Sequence, residues 1–276
     1  MAIKDILLFL DDGKTNSERV NTAFSLAFQH NANLTGVVMG SMKPVHAPDQ
    51  NDAKANARMG QRMAEKIIEE FQQSADLAGL HVTTLIIYGD SQTSAAKIAH
   101  YARNYDLVML SQPNPERDNY DRLLEKARQV LLLSGRPVFF MPYIGANKIP
   151  PKKALIAWDG TPAVSRSVHD AIPLLKNLDQ VIILVVGSKK QRENKKEVLV
   201  EGLKEHLKHH DINADVLRIN PGINSVTSVI QNKISEYDID LLIMGGHGTP
   251  TLKQKIFGTV TRKLLSSMVV PVLMSD

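Results

Sequence analysis

"LLIMGGHGTPTLKQKIFGTVTRKLL", residues 241–265, is the stretch that decides how this chain folds. An apolar run opens into Gly245, Gly246 and Gly248, and Gly258–Thr259 then lead into a second apolar pattern through Val260 and Leu264. The first part reads as a buried strand and the last as a helix. Glycine costs backbone entropy, so a cluster between two such elements signals close approach of something to the backbone. In open parallel sheets, ligands bind beyond the carboxyl ends of the strands. A helix start offers unpaired N–H groups and a partial positive charge, which suit phosphate. The dipole supplies only about 0.3–1 kcal/mol, so several amides must act together. Any one of these glycines could be an ordinary loop residue. The spacing Gly245-x2-Gly248-x9-Gly258-Thr259 is harder to dismiss.

Outward from this stretch, the strands are continuous apolar runs: ILLFL (6–10), LTGVVM (34–39), VTTLIIY (82–88), LVML (107–110) and PVFFM (137–141). The series repeats as ALIAW (154–158), VIILVV (181–186), ADVLRI (214–219), LLIM (241–244) and PVLM (271–274). Runs without alternation suit parallel strands buried on both faces. Amphipathic stripes lie between them, among them Val20, Ala23, Phe24, Ala27 and Phe28, answered by Val164, Val168, Ala171, Ile172 and Leu175. These are core-packing faces. Each half therefore reads βαβαβαβαβ, a parallel sheet with right-handed crossovers. The halves also share wording, "YDLVML" (105–110) with "YDIDLLIM" (237–244) and "RPVFFMP" (136–142) with "VPVLMSD" (270–276). Such a period means duplicated domains, expected at 1–143 and 154–276, joined by the linker 144–153. The polar segment 41–54 is expected to be an exposed loop.

Composition narrows the function. The 276 residues suit two domains. No cysteine is present, which excludes disulfides, thiolate metal sites and cysteine nucleophiles. The opening MAIKDILLFLDDGK lacks the layout of a signal peptide, and no apolar run reaches the roughly 18–20 residues of a membrane span. These features lead us to expect a cytoplasmic protein with no membrane contact. The net charge of +4 is mild, and the basic stretch KKQRENKK (189–196) contains no aromatic, so nucleic acid is not the expected partner.

The segment "MGGHGTPTLKQKIFGTVTRKLLSSMVVPVLM" resembles the nucleotide-binding signature of the universal stress protein family, and "ALIAWDGTPAVSRSV" fits the same family. The likeness covers nearly the whole chain as two tandem family domains, with the signature only in the second. It implies two open five-stranded parallel sheets of order 3-2-1-4-5, flanked by helices. This is a Rossmann-like fold of the adenine nucleotide alpha hydrolase type, expected to hold ATP, ADP or AMP at the strand ends. Carried over by residue, Asp159 stands near adenine and ribose, with Ala157 and Trp158 lining the base pocket. Val186 touches adenine, and Met244, Gly245 and Gly248 lie beside ribose and phosphates. Gly258, Thr259 and Val260 form the phosphate turn. Trp158 is larger than the residues expected there. Asp159 could also hold Mg²⁺ through the phosphates. Fifth-strand edges need cover, so the two domains are expected to pair within the chain through their last strands, as an intrachain pseudo-dimer, with further association of two chains open.

An offset of 134 aligns the fourth-strand loops of the two halves, since Leu110 to Pro137 and Met244 to Pro271 have equal spacing. Gly245 then faces Ser111, Gly248 faces Asn114, Gly258 faces Leu124 and Thr259 faces Glu125. The first half has lost the glycines and gained a carboxylate, so it is not expected to bind nucleotide in this way. "DDGKT" (11–15) lacks the upstream glycine of a Walker A motif. His206, His209 and His210 read as a solvated helix tail in which two imidazoles could share a metal. His247, Lys253, Lys255 and Arg262 are candidates to touch phosphate. No residue stands out as a catalytic base. The leading reading is a nucleotide-dependent regulatory stress-response protein. Its rivals are a slow ATPase or adenylyl-transfer enzyme on the same fold, and an interaction protein without nucleotide.

Overall fold

A computed structural model describes residues 2–13, 16–41, 50–89, 93–143, 150–187, 196–246 and 258–276. Gly248, His247, Lys253 and Lys255 lie outside the described residues, as do 42–49, most of the linker and 189–195 of the basic stretch.

The apolar runs form the strands β1 (Asp5–Leu10), β2 (Asn33–Ser41), β3 (Val82–Gly89), β4 (Leu107–Ser111) and β5 (Val138–Met141), then β6 (Lys153–Ala157), β7 (Gln180–Val186), β8 (Ala214–Ile219), β9 (Leu241–Gly245) and β10 (Val272–Ser275). The helices between them are α1 (Asn16–His30), α2 (Gln50–Leu77), α3 (Ser94–Ala102), α4 (Tyr120–Ser134), α5 (Pro162–Leu175), α6 (Lys196–Lys208), α7 (Val226–Glu236) and α8 (Thr259–Ser267). The polar segment 41–54 is less of a loop than expected, because Ser41 ends β2 and α2 starts at Gln50. The Ala, Lys, Arg and Gln residues of α2 are good helix formers, so the helix starts within the polar segment.

The strands run β3-β2-β1-β4-β5-β10-β9-β6-β7-β8 in one ten-stranded sheet, and every pair with a described register is parallel. Each half keeps the expected order 3-2-1-4-5. The expectation of two separate five-stranded sheets is corrected: β5 and β10 are neighbours. A fifth strand left at an edge would expose unpaired N–H and C=O groups, and a neighbour removes that liability.

Two compact units divide the chain. One comprises 2–111 and 117–138, the other 112–116 and 139–276. Both cores are mainly aliphatic, and the middle strand of each half is buried on both faces. Ile6, Leu7 and Leu8 are fully buried in the first, as are Ala154, Leu155 and Ile156 in the second.

Candidate functional site

In the second unit β6 lies between β9 and β7. The chain leaves β6 for β7 on one side and later returns to β9 on the other. That is the switch point at which open α/β sheets take ligands. Ile156 lies opposite Ile243 and Ala157 opposite Leu184, so the ends of β9, β6 and β7 meet at one pole. This brings together Ala157, Trp158, Asp159, Val186, Met244 and Gly245.

Trp158 continues β6 by donating its backbone N–H to the carbonyl of Leu184 at 2.9 Å. The side chain is only 8% exposed, and its indole Nε1–H has no hydrogen-bond partner among the described residues. A buried, unsatisfied donor costs about 1–3 kcal/mol, so it calls for an acceptor. Asp159 turns the chain from β6 into α5. Its Oδ1 accepts from the Thr161 N–H at 3.0 Å and from the Thr161 hydroxyl at 2.7 Å. Gly160 has φ 73°, a left-handed conformation that favours glycine. Thr161 then caps α5 by accepting from Val164 N–H at 3.4 Å, and Pro162 occupies the first turn. The turn therefore fixes the carboxylate of exposed Asp159 through one oxygen.

The glycine question has an answer inside the protein. A Cβ on Gly245 would lie 2.7 Å from the backbone nitrogen of Val164 and 3.0 Å from Cβ of Ala163. What approaches Gly245 is the first turn of α5. Ser167, one turn on, donates to the carbonyl of Met244 at 2.8 Å and accepts from the N–H of Ser275 at 2.8 Å. A single buried hydroxyl thus fastens α5 to the ends of both β9 and β10. Gly245 can offer a ligand its backbone only.

Gly258 is the N-cap of α8, with extended backbone at φ −61° and ψ 161° and no side chain to occupy the helix start. Thr259 is exposed and Val260 half-buried. The first-turn amides of a helix have no partner within the helix. The Thr261 hydroxyl donates to the carbonyl of Gly246 at 3.4 Å, which ties this helix start to the end of β9. Val186 is half-buried at the end of β7, opposite Ile219 of β8.

The first unit shows what sequence reasoning missed. Leu7 pairs with Val108 as Leu155 pairs with Leu242, which equates Asp11 with Asp159, Arg19 with Ser167 and Ser111 with Gly245. By wording, Asp12 would have been matched to Asp159. The side chains confirm Asp11, whose Oδ1 accepts from the Gly13 N–H at 2.8 Å as Asp159 accepts from Thr161. Arg19 is 1% exposed and pairs with Asp11 at 3.1 Å. Asn16 accepts from the same guanidinium at 2.8 Å, and the Ser111 hydroxyl donates to Asp11 Oδ2 at 3.1 Å. Burial pushes the Asp11 carboxyl up, but the Arg19 charge, the Gly13 amide and the Arg19 and Ser111 hydrogen bonds hold it below the usual value. Lys126 stands where Val260 stands in the second unit, with its Nζ 4.1 Å from the centre of the Phe9 ring. Burial lowers its pKa to about 8 against the opposing pull of Asp11. Glu125 is exposed and held by Arg128 and Gln129, with the Arg128 hydrogen bond lowering its pKa. The pole of the first unit is filled by its own charges. At three of these places the second unit has serine, glycine and valine. An arginine on an amphipathic helix reads as surface, so no pattern in the sequence announced this plug.

Among the described residues no group of three or more His, Asp and Glu side chains is arranged to hold a metal ion. No described helix is long and apolar enough to cross a membrane.

The fold and the strand-end pole define an open α/β domain with a parallel sheet flanked by helices. Residues 151–275 match the model of the universal stress protein family, so the second half carries one domain of that family. For the first half the likeness rests on the repeated strand order. No curated protein matches the chain. A universal stress protein from Archaeoglobus fulgidus is 16% identical over 99% of this chain and 98% of its own, with a TM-score of 0.75. A protein of Pseudomonas aeruginosa assigned to the same family is 16% identical over 99% of this chain and 92% of its own, with a TM-score of 0.60. The cytoplasmic domain of a prokaryotic cation chloride cotransporter is 12% identical over 99% of this chain and 96% of its own, with a TM-score of 0.52. At these identities the likeness concerns the fold alone.

Proposed function

We propose that the chain is a tandem universal stress protein that binds ATP or a related adenine nucleotide in its second unit and works as a cytoplasmic, nucleotide-dependent regulator. The contrast between the two poles carries this reading. Where the first unit places Arg19, Ser111 and Lys126 around Asp11, the second places Ser167, Gly245 and Val260 around an exposed Asp159. An orphaned indole donor at Trp158 and a helix start without a capping side chain at Gly258 add groups that an adenine nucleotide can satisfy. In this reading the base lies over Ala157, Trp158 and Val186, and Asp159 meets the ribose or base. The phosphates lie against Gly258, Thr259 and Val260, near Met244, Gly245 and Gly248. Asp159 is the one carboxylate among these residues, so Mg²⁺ would be held mainly by the phosphates. The two domains act as an intrachain pseudo-dimer whose output is a change in the surface offered to a partner. No residue is assigned as a catalytic base.

Ligand linkage tests this. ATP at a hundred times its Kd adds about 2.7 kcal/mol to stability, and Gly258→Glu removes most of that gain. A carboxylate at the N-terminal end favours the helix itself, so the variant folds while repelling phosphate. No thermal shift of the wild type in millimolar ATP contradicts the proposal. Steady ADP or AMP release that Asp159→Ala abolishes would make the protein an enzyme instead.

A further inference from the structure

At the end of α6, His209 is exposed as expected of a helix tail, but His206 and His210 are half-buried. His206 lies between two other imidazoles. The ring of His169, on α5, is 4.9 Å away at 74°, and that of His210, just after α6, is 4.9 Å away at 75°. Nε2 of His206 is buried and has no hydrogen-bond partner among the described residues. The three imidazoles are stacked edge to face, and Nε2 of the middle one has no acceptor among the described residues.

We propose that His169, His206 and His210 form a proton-operated clasp, which holds the end of α6 against α5 while the rings are neutral and releases it when they charge. Neutral rings gain from edge-to-face contact. Imidazolium rings about 5 Å apart repel one another. Nε2 of the central ring is out of water in the stack. Burial first, then the neighbouring His210, His169 and His209, holds the pKa of His206 below its ordinary 6.5.

The charged groups nearby do not offset that repulsion. On α5, Arg166 pairs with Asp170 at 3.8 Å, and Asp170 also accepts from the Ser275 hydroxyl at 2.7 Å. On α6, Glu201 pairs with Arg218 of β8 at 2.5 Å, and Glu205 with His209 at 3.7 Å. Lys204 and Lys208 of α6, Asp211 after it and Asp215 of β8 are the other charged side chains of these elements among the described residues. No carboxylate contributes to the shift at His206. The sign follows from the lowered value. The released form binds more protons than the clasped form, so the clasp is at full strength above about 6.5 and is lost as pH falls through the lower, folded value. The helix that yields is α6, because α5 is fastened to β9 and β10 through Ser167 whereas α6 packs on β8.

The test uses the whole chain, treated with chelator, between pH 7.5 and 5.5. Imidazole NMR titration and amide hydrogen exchange of Lys196–Lys208, corrected for intrinsic rates, are read together. We expect His206 to titrate below an isolated histidine, and His169→Gln and His210→Gln each to raise its midpoint. Protection of α6 falls by roughly tenfold across the range, about one unit of linked titration. His206→Gln abolishes that fall, and His209→Gln, outside the stack, leaves it in place. A His206 that titrates as an isolated ring, unmoved by either neighbour's replacement, overturns the proposal. So does equal protection at both ends of the range, or a response that survives His206→Gln. A response seen only before chelation assigns the rings to a metal ion and overturns it too.

Discussion

Arg19 and Ser167 stand at matching places in the two halves. Arg19 is almost wholly buried and spends its charge on Asp11. Ser167 spends a hydroxyl on two strand ends and leaves Asp159 exposed. Removing one partner of a buried pair leaves the other uncompensated, which costs about 3–5 kcal/mol. Asp11→Asn is therefore expected to destabilise the first unit by about 3 kcal/mol at pH 7, measured by urea unfolding. The pH limb carries a second signature. Asp11 has a lowered pKa, so its contribution is complete above the unfolded value of 3.8 and is lost as pH falls through the folded one. Wild type loses this stability on acidification and Asp11→Asn has none to lose. A variant as stable as wild type, with the same acid limb, would show that the pair contributes nothing.

Among the elements, α5 builds the pole. Its cap orders Asp159, its first turn covers Gly245, and its third turn carries His169. Gly245→Ala adds a methyl group against backbone, which cannot swing aside as a side chain can. The expected cost is about 1–3 kcal/mol with an unchanged fold, measured as a lower urea midpoint. A neutral or stabilising result would mean that α5 does not press on β9 as described. These elements were largely legible in the sequence. Ten apolar runs became ten strands, because a strand buried on both faces needs no alternation. The pole was legible too, since Asp159, Gly245 and Gly258 lie where strands end and a helix begins. The reason for Gly245 was not legible, because it depends on α5, a helix more than seventy residues earlier. Pairing of the last strands was expected from their edges, but one continuous sheet was not, because no local pattern fixes it. The imidazole stack needed His169, which no spacing ties to His206 and His210.

For the whole molecule, the repeated strand order gives two poles of one design, and they differ in their side chains. The first is filled by Arg19 and Lys126 around Asp11. The second keeps Asp159 open, with Gly258 at a bare helix start. This predicts an asymmetric protein, in which one half responds to nucleotide and the other is a fixed scaffold. The match of residues 151–275 to the universal stress protein family fits the same division of labour. The most direct test is the stoichiometry of ATP binding to the full chain, by titration calorimetry with native mass spectrometry on the same sample. The account predicts one nucleotide per chain, lost in Gly258→Glu and retained in Asp11→Asn. Two nucleotides per chain, or none at millimolar ATP, would contradict it.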